Sequence, residues 1–386
     1  MLNRSMMSAF RPLASMRVSL GNTALHSRHF SATPTRCLSA VFAETENSEL
    51  NNVLIDVQEK IILPAYLPEA QRKLVFNSAK SDYIKRNPVV IELDGLEHTF
   101  TYIDRTRDIP NSKKALAQAT RLMKTKEEWD NIATFLAGYR KAGIRLTREH
   151  YEAIIRRACD SQQEYSIIEC AKQAVKTGLA LKYESYVILL MSSINGKVGN
   201  TAEETLQALK WNRLVSDLTQ RPEHQLQGRR PRDLPHFNPA IRGALLFAQA
   251  HGIQTQQAAG ESAEALIKEL RDNVEFISSA WAGQELSDLT KSSYLKIFHP
   301  RHGQESAEFH LAPYHYIRVL AQNIRAMELA QEIIGDIAKD LTPVHDAMEQ
   351  HLEDFIKAGS LNKKGYGDVY ESATGRKPAW EKYLTA

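Results

Sequence analysis

Cysteine is nearly absent from this sequence, with three in 386 residues. Cys37, Cys159 and Cys170 have no second Cys or His at ligand spacing, so neither a disulfide framework nor a zinc site follows. Cys159 and Cys170 read as small buried side chains of helices. No stretch of about 18 uninterrupted apolar residues occurs, which leaves no candidate for a membrane-spanning helix. Also missing are a phosphate-binding P-loop, G-x-S-x-G, H-E-x-x-H and a strand followed by G-x-G-x-x-G. Gly365 and Gly367 in "KKGYGD" are read as preceding no helix. The expectation is a chain that is not an enzyme and has neither cofactor nor metal.

Acidic residues are missing from the first 43 positions, which hold five Arg, seven Ser and no Lys before Glu44. This is the composition of a mitochondrial transit peptide, where positive charge responds to the membrane potential and acids would oppose import. "RHFSATPTRC" (Arg28 to Cys37) resembles a two-step processing signal, with cuts at 29/30 and then 37/38. Removal of residues 1–37 takes five Arg and no acid, so the formal charge falls from +3 to −2. The basic balance belongs to this segment, and blanket nucleic-acid binding by the rest is disfavoured. The expected address is the mitochondrial matrix, with the inner-membrane surface as a peripheral alternative.

What remains is ordinary globular composition, 43% hydrophobic and 25% charged. Over 48–110 the sequence predicts N-terminal helices and a β-hairpin. Leu50, Val53, Leu54, Val57, Ile61 and Ile62 run at helical spacing up to Pro64, and "VVIELDGLEHTFTY" alternates around Asp94-Gly95 over about 89–102. Almost everything beyond Pro110 reads helical, with Asn111 or Ser112 and then Thr147 as caps. Residues 111–217 form helical repeats, 218–237 a Pro/Gln/Arg-rich loop, 238–360 a second helical region and 361–386 an extended tail.

The repeats announce themselves twice. "YRKAGIRLT" and "AVKTGLALK" end successive helices at Gly143 and Gly178, 35 residues apart, and Tyr151 and Tyr186, also 35 apart, open successive first helices. Looser echoes fall at Gly252 and Gly359. Hairpins of this length must stack to bury both faces, so the fold class is all-α, a helical-hairpin solenoid with one small β-hairpin. The segment from about 112 to 195 resembles the pentatricopeptide repeat family, on "YEAII" at Tyr151 and on Gly178 to Lys182. That family's RNA readers keep Asn, Thr or Ser after the Tyr and often Asp or Asn at the unit's end. This chain has Glu152 and Val187 at the first place and Thr147 and Lys182 at the second. The resemblance implies stacked hairpins, and the departures argue against base readout.

Two basic features stand out as RNA-binding candidates. Arg229, Arg230 and Arg232 sit in the central loop; Lys363, Lys364, Tyr366, Arg376 and Lys377 sit in the tail with Tyr370 and Trp380. Phosphate contacts with aromatic stacking on bases is one reading, and solubilising charge on flexible segments is the other. His345, Glu349 and Glu353 share one helix face and read as a solvated stripe, while His299, His302, His310 and His315 cluster around a loop and read as scattered surface or packing histidines. The function expected is a mitochondrial scaffold or adaptor in mitochondrial gene expression, associated with the ribosome. The alternatives are a matrix assembly factor for a respiratory-chain complex and a pentatricopeptide-type RNA stability or translation factor. The partner is then a mitochondrial protein complex, the ribosome first, with rRNA or mRNA as a further partner.

Overall fold

Several helices start where a side chain is placed to receive their first amide protons. Asn47 accepts the Leu50 N–H at 3.0 Å and opens Ser48–Val57; Asn111 accepts the Lys114 N–H at 3.0 Å and opens Ser112–Leu122. The structure, a computed structural model, describes residues 39–296, 298–300, 311–358 and 363–384. The 1–37 segment with both expected cuts, Gly359, His302 and His310 lie outside these residues.

The expected β-hairpin is present. Asp94 (φ 50°) and Gly95 (φ 82°) form its left-handed turn, and Val89–Leu93 pairs antiparallel with Leu96–Phe100, Val89 opposite Phe100 and Leu93 opposite Leu96. An isolated hairpin is marginal in water, and this one buries Val89 and Phe100 against Leu63, Leu67 and Val75.

The next helices run up and down in sequence order: Ser112–Leu122, Asn131–Lys141, Arg148–Asp160, Glu164–Lys172 with Ala174–Thr177, Glu184–Ile194 and Ala202–Thr219. Gly143 (φ 76°) and Gly178 (φ 77°) both take the left-handed helix-end conformation. At Gly143 the next amide, that of Ile144, returns to the Tyr139 carbonyl at 2.9 Å. Their surroundings differ: a Cβ on Gly178 would run into the Tyr151 hydroxyl, while one on Gly143 would meet open space. Tyrosine hydroxyls tie neighbouring helices together, within a hairpin and between hairpins. Tyr139 donates to the Ser112 carbonyl at 2.8 Å and Tyr186 to the Arg148 carbonyl at 2.7 Å, each the first residue of an adjoining helix.

Three expectations are corrected. The helix expected to end at Gly178 is interrupted at Gln173, between Glu164–Lys172 and Ala174–Thr177, and Thr177 turns its hydroxyl onto the Cys170 carbonyl at 2.8 Å. Gly252 is no helix end; it lies inside Pro239–Ala258, where a Cβ would press on Leu209 and Leu266, so it serves close helix packing. The tail expected to be extended contains the helix Tyr366–Thr374, and Gly365 (φ 81°) precedes it after all.

Glu184–Ile194 is buried along its whole length, between Arg148–Asp160 on one side and Pro239–Ala258 with Pro313–Ile334 on the other. Pro313–Ile334 also carries Thr342–Ala358 and Tyr366–Thr374. Amides stitch these layers. Asn195 donates to the Ala244 carbonyl (2.8 Å) and to Gln322 (3.3 Å), Gln322 to the Ser192 carbonyl (3.0 Å), and Asn212 to Asn195 (2.8 Å). Asn323 reaches the Ala240 carbonyl at 3.2 Å, over a position where a Cβ on Gly243 would strike it. One apolar core runs from Leu50 to Trp380.

Candidate nucleic-acid interface

The central loop is pinned at several points. It contains the short turns Pro222–His224, Pro231–Asp233 and Pro235–Phe237, and its His224 is fully buried. His224 Nδ1 accepts the Leu181 N–H at 2.8 Å, and burial lowers the imidazole to a pKa of about 4, so it stays a neutral acceptor. Arg229 donates to the Glu184 carboxylate at 2.5 Å and to the Asp233 carbonyl at 3.0 Å. Glu184 lies in the first turn of its helix, where a carboxylate also favours the dipole. Arg230 grips Asp233 with two bonds of 2.9 and 3.1 Å. Arg232 is exposed and makes no ion pair or hydrogen bond among the described residues.

The C-terminal candidates are pinned as well. Tyr370 and Trp380 are fully buried, their rings 5.5 Å apart, so neither can stack on a base. Lys363 donates to the Tyr383 carbonyl at 3.1 Å, Lys377 pairs with Glu381 at 2.9 Å, and half-buried Tyr366 packs on the core. Lys364 is exposed. Arg376 reaches both Glu328 (2.5 Å) and Glu349 (2.6 Å).

Arg376 thereby converts the expected solvated stripe into a clasp. Glu328, His345 and Glu349 hold their ligand atoms within 4.8 Å of one another, and the guanidinium bonds to both carboxylates. His345 Nε2 meets Glu328 at 3.3 Å and Arg325 meets it at 3.0 Å, while the Tyr370 hydroxyl donates to Glu349. Burial would raise the Glu328 carboxyl, but bonds from His345, Arg376 and Arg325 overcome it and hold the pKa down to about 2. The hydrogen bond to Glu328 raises His345. Glu353 faces elsewhere and pairs with Lys357 at 2.9 Å. The three ligands, two carboxylates and an imidazole, fit a divalent cation in kind, yet a cation of this chain already sits among them. Of the four histidines read as surface or packing residues, His315 is a packing one: it is buried, with its pKa lowered to about 4 by desolvation.

The two groups of basic residues are therefore held by different elements, Glu184–Ile194 for one and Pro313–Ile334 with Thr342–Ala358 for the other, and the structure does not bring them together. Further basic residues lie in the turns between hairpins, Arg140 to Arg148 and Lys176 to Lys182, beside the glycines that end the helices.

The pocket-forming clefts do not change this picture. One cleft, of about 1120 Å³, is lined by both signs of charge, among them Lys197, Arg318 and Arg325 with Asp160, Glu164 and Asp368. Stacked helical hairpins with charges fastened into ion pairs define a helical scaffold protein. Comparison with known proteins makes the assignment particular. The family model for mitochondrial ribosomal protein mS27 matches residues 28–382, and small ribosomal subunit protein mS27 of Neurospora crassa is 25% identical over 334 residues, 79% of this chain and 83% of the relative. The chain belongs to the mitochondrial ribosomal protein mS27 family. The family match spans most of the chain, well beyond the 112–195 segment that carried the pentatricopeptide resemblance.

Proposed function

We propose that this chain is a non-catalytic structural component of the small subunit of the mitochondrial ribosome, working in the matrix as a helical scaffold. The observation that carries the reading is the family match over 28–382, which takes in both the hairpin stack and the C-terminal clasp. A fold whose charged groups mostly fasten its own elements suits a part held in one place within a large assembly. The hairpins of 131–194 are pentatricopeptide-like in architecture and not in base reading: Val187 is fully buried and Glu152 presents a carboxylate. Of the eight candidate RNA contacts, Arg232 and Lys364 have the exposed positions from which a side chain can reach rRNA. Arg229, Arg230, Lys363, Tyr366, Arg376 and Lys377 serve mainly to hold the loop and C-terminal segment in shape.

The test is sedimentation of the tagged full chain from isolated mitochondria. Co-sedimentation with the small ribosomal subunit is expected. Migration with an inner-membrane respiratory complex, or recovery only at the top of the gradient, would sink the reading.

A further inference from the structure

The hairpin stack is electrically polarised from edge to edge. The turns between hairpins, 140–149 and 176–184, carry six basic and two acidic residues; the turns within hairpins, 122–130, 160–164 and 195–204, carry three basic and seven acidic. Contacts place the first set side by side along one edge. The Tyr139 hydroxyl joins the end of its helix to Ser112, Tyr186 reaches the Arg148 carbonyl, and Arg148 lies over the Tyr183 ring at 4.2 Å. The Arg140 guanidinium lies beside Gly178, and Lys182 and Arg221 both act on the buried His224, whose ring accepts the Leu181 N–H.

Helix dipoles explain only part of this. Cations at Arg140, Lys141 and Lys176 lie in last helical turns, where they are favoured. Arg145, Arg148 and Lys182 precede or begin the next helix, where a cation is disfavoured, so another interaction must account for them. The two acids on this edge offer little neutralisation. Glu184 is already bound to Arg229, leaving exposed Glu149.

We propose that this edge is a track for the RNA phosphate backbone, read without regard to base sequence, with Arg145, Lys176 and Lys182 as its exposed or half-exposed phosphate contacts. The proposal deepens the ribosomal reading and depends on it only for which RNA is bound. Phosphates suit the site because isolated cations on successive turns neutralise a repeating anion, while Val187 is buried too deeply to meet a base.

The test uses the purified full chain and two RNA hairpins of unrelated sequence, with binding followed by fluorescence anisotropy over a salt series. Arg145→Glu/Lys176→Glu/Lys182→Glu should weaken both RNAs by roughly tenfold or more, and Arg145→Gln/Lys176→Gln/Lys182→Gln should make the log–log salt dependence shallower by about 2. Lys124→Glu/Lys126→Glu, on the opposite edge, should bind like wild type. Unchanged binding by the triple variants, discrimination between the two hairpins of about a hundredfold, or equal competition by polyglutamate would overturn the proposal, the last pointing to an acidic protein. The Gln variants are melted alongside wild type to guard against unfolding. Wild-type chain absent from the small subunit would defeat the ribosomal reading while leaving this RNA measurement to stand by itself.

Discussion

The hairpin stack of 131–194 and the C-terminal region of 313–384 are both helical, but they are fastened by different chemistry. In the stack, left-handed glycines end helices and tyrosine hydroxyls bond to backbone carbonyls across an apolar core. In the C-terminal region a guanidinium, two carboxylates and an imidazole converge, and buried histidines and aromatics fill the space around the long helix. The first is built from uncharged local bonds that repeat, the second from ionisable groups that do not, so the two should answer differently to pH.

Acidification is the largest expected effect. Burial lowers His224, His315 and His351 to about 4. Below pH 6.5 the unfolded chain takes up protons that these rings refuse when folded, so stability is full above 6.5 and falls as pH drops toward 4, by about 3 kcal/mol per histidine at the limit. The clasp runs the other way. The raised His345 contributes fully below 6.5 and loses its contribution as pH rises through its folded value, while Glu328 contributes above about 4.5 and loses it only as pH falls toward about 2. Urea midpoints across pH 4 to 8 should therefore fall steeply below 6.5, while hydrogen exchange around Arg376 stays protected relative to the rest. A flat profile would break the comparison.

Trp380→Ala comes next, with about 4 kcal/mol expected from emptying a fully buried site, read as a lower denaturant midpoint. A loss under about 0.5 kcal/mol would return the segment to a loose tail. Arg376→Ala should cost about 2 kcal/mol, reduced from the buried-pair range because the guanidinium is partly exposed, and should make the C-terminal segment the first site of proteolysis. The smallest effects belong to the stack. Tyr186→Phe and Gly143→Ala should each cost about 1 kcal/mol in thermal melts, one for a hydrogen bond and one for a positive φ, with no change in the pH profile.

These two regions were unequally legible. The stack repeats, so one sequence period exposed Gly143, Gly178, Tyr151 and Tyr186, and a two-residue turn exposed the β-hairpin. Gly252 misled because a glycine that permits close packing looks the same in sequence as one that ends a helix. Arg376 could not be read as a clasp, since its carboxylates lie 48 and 27 residues away and only folding brings them into range. The helix Tyr366–Thr374 is nine residues flanked by glycines, too short for a period to declare itself against the buried Tyr370 and Trp380 that hold it.

The fully buried helix Glu184–Ile194 is covered on one side by residues about 130 positions later, as the Gln322 bond to the Ser192 carbonyl shows. A chain made or threaded from its N-terminus must therefore expose this apolar rod from the moment it emerges until Pro313–Ile334 arrives. The interval is a window of vulnerability to self-association, and a holding chaperone would find its natural grip there.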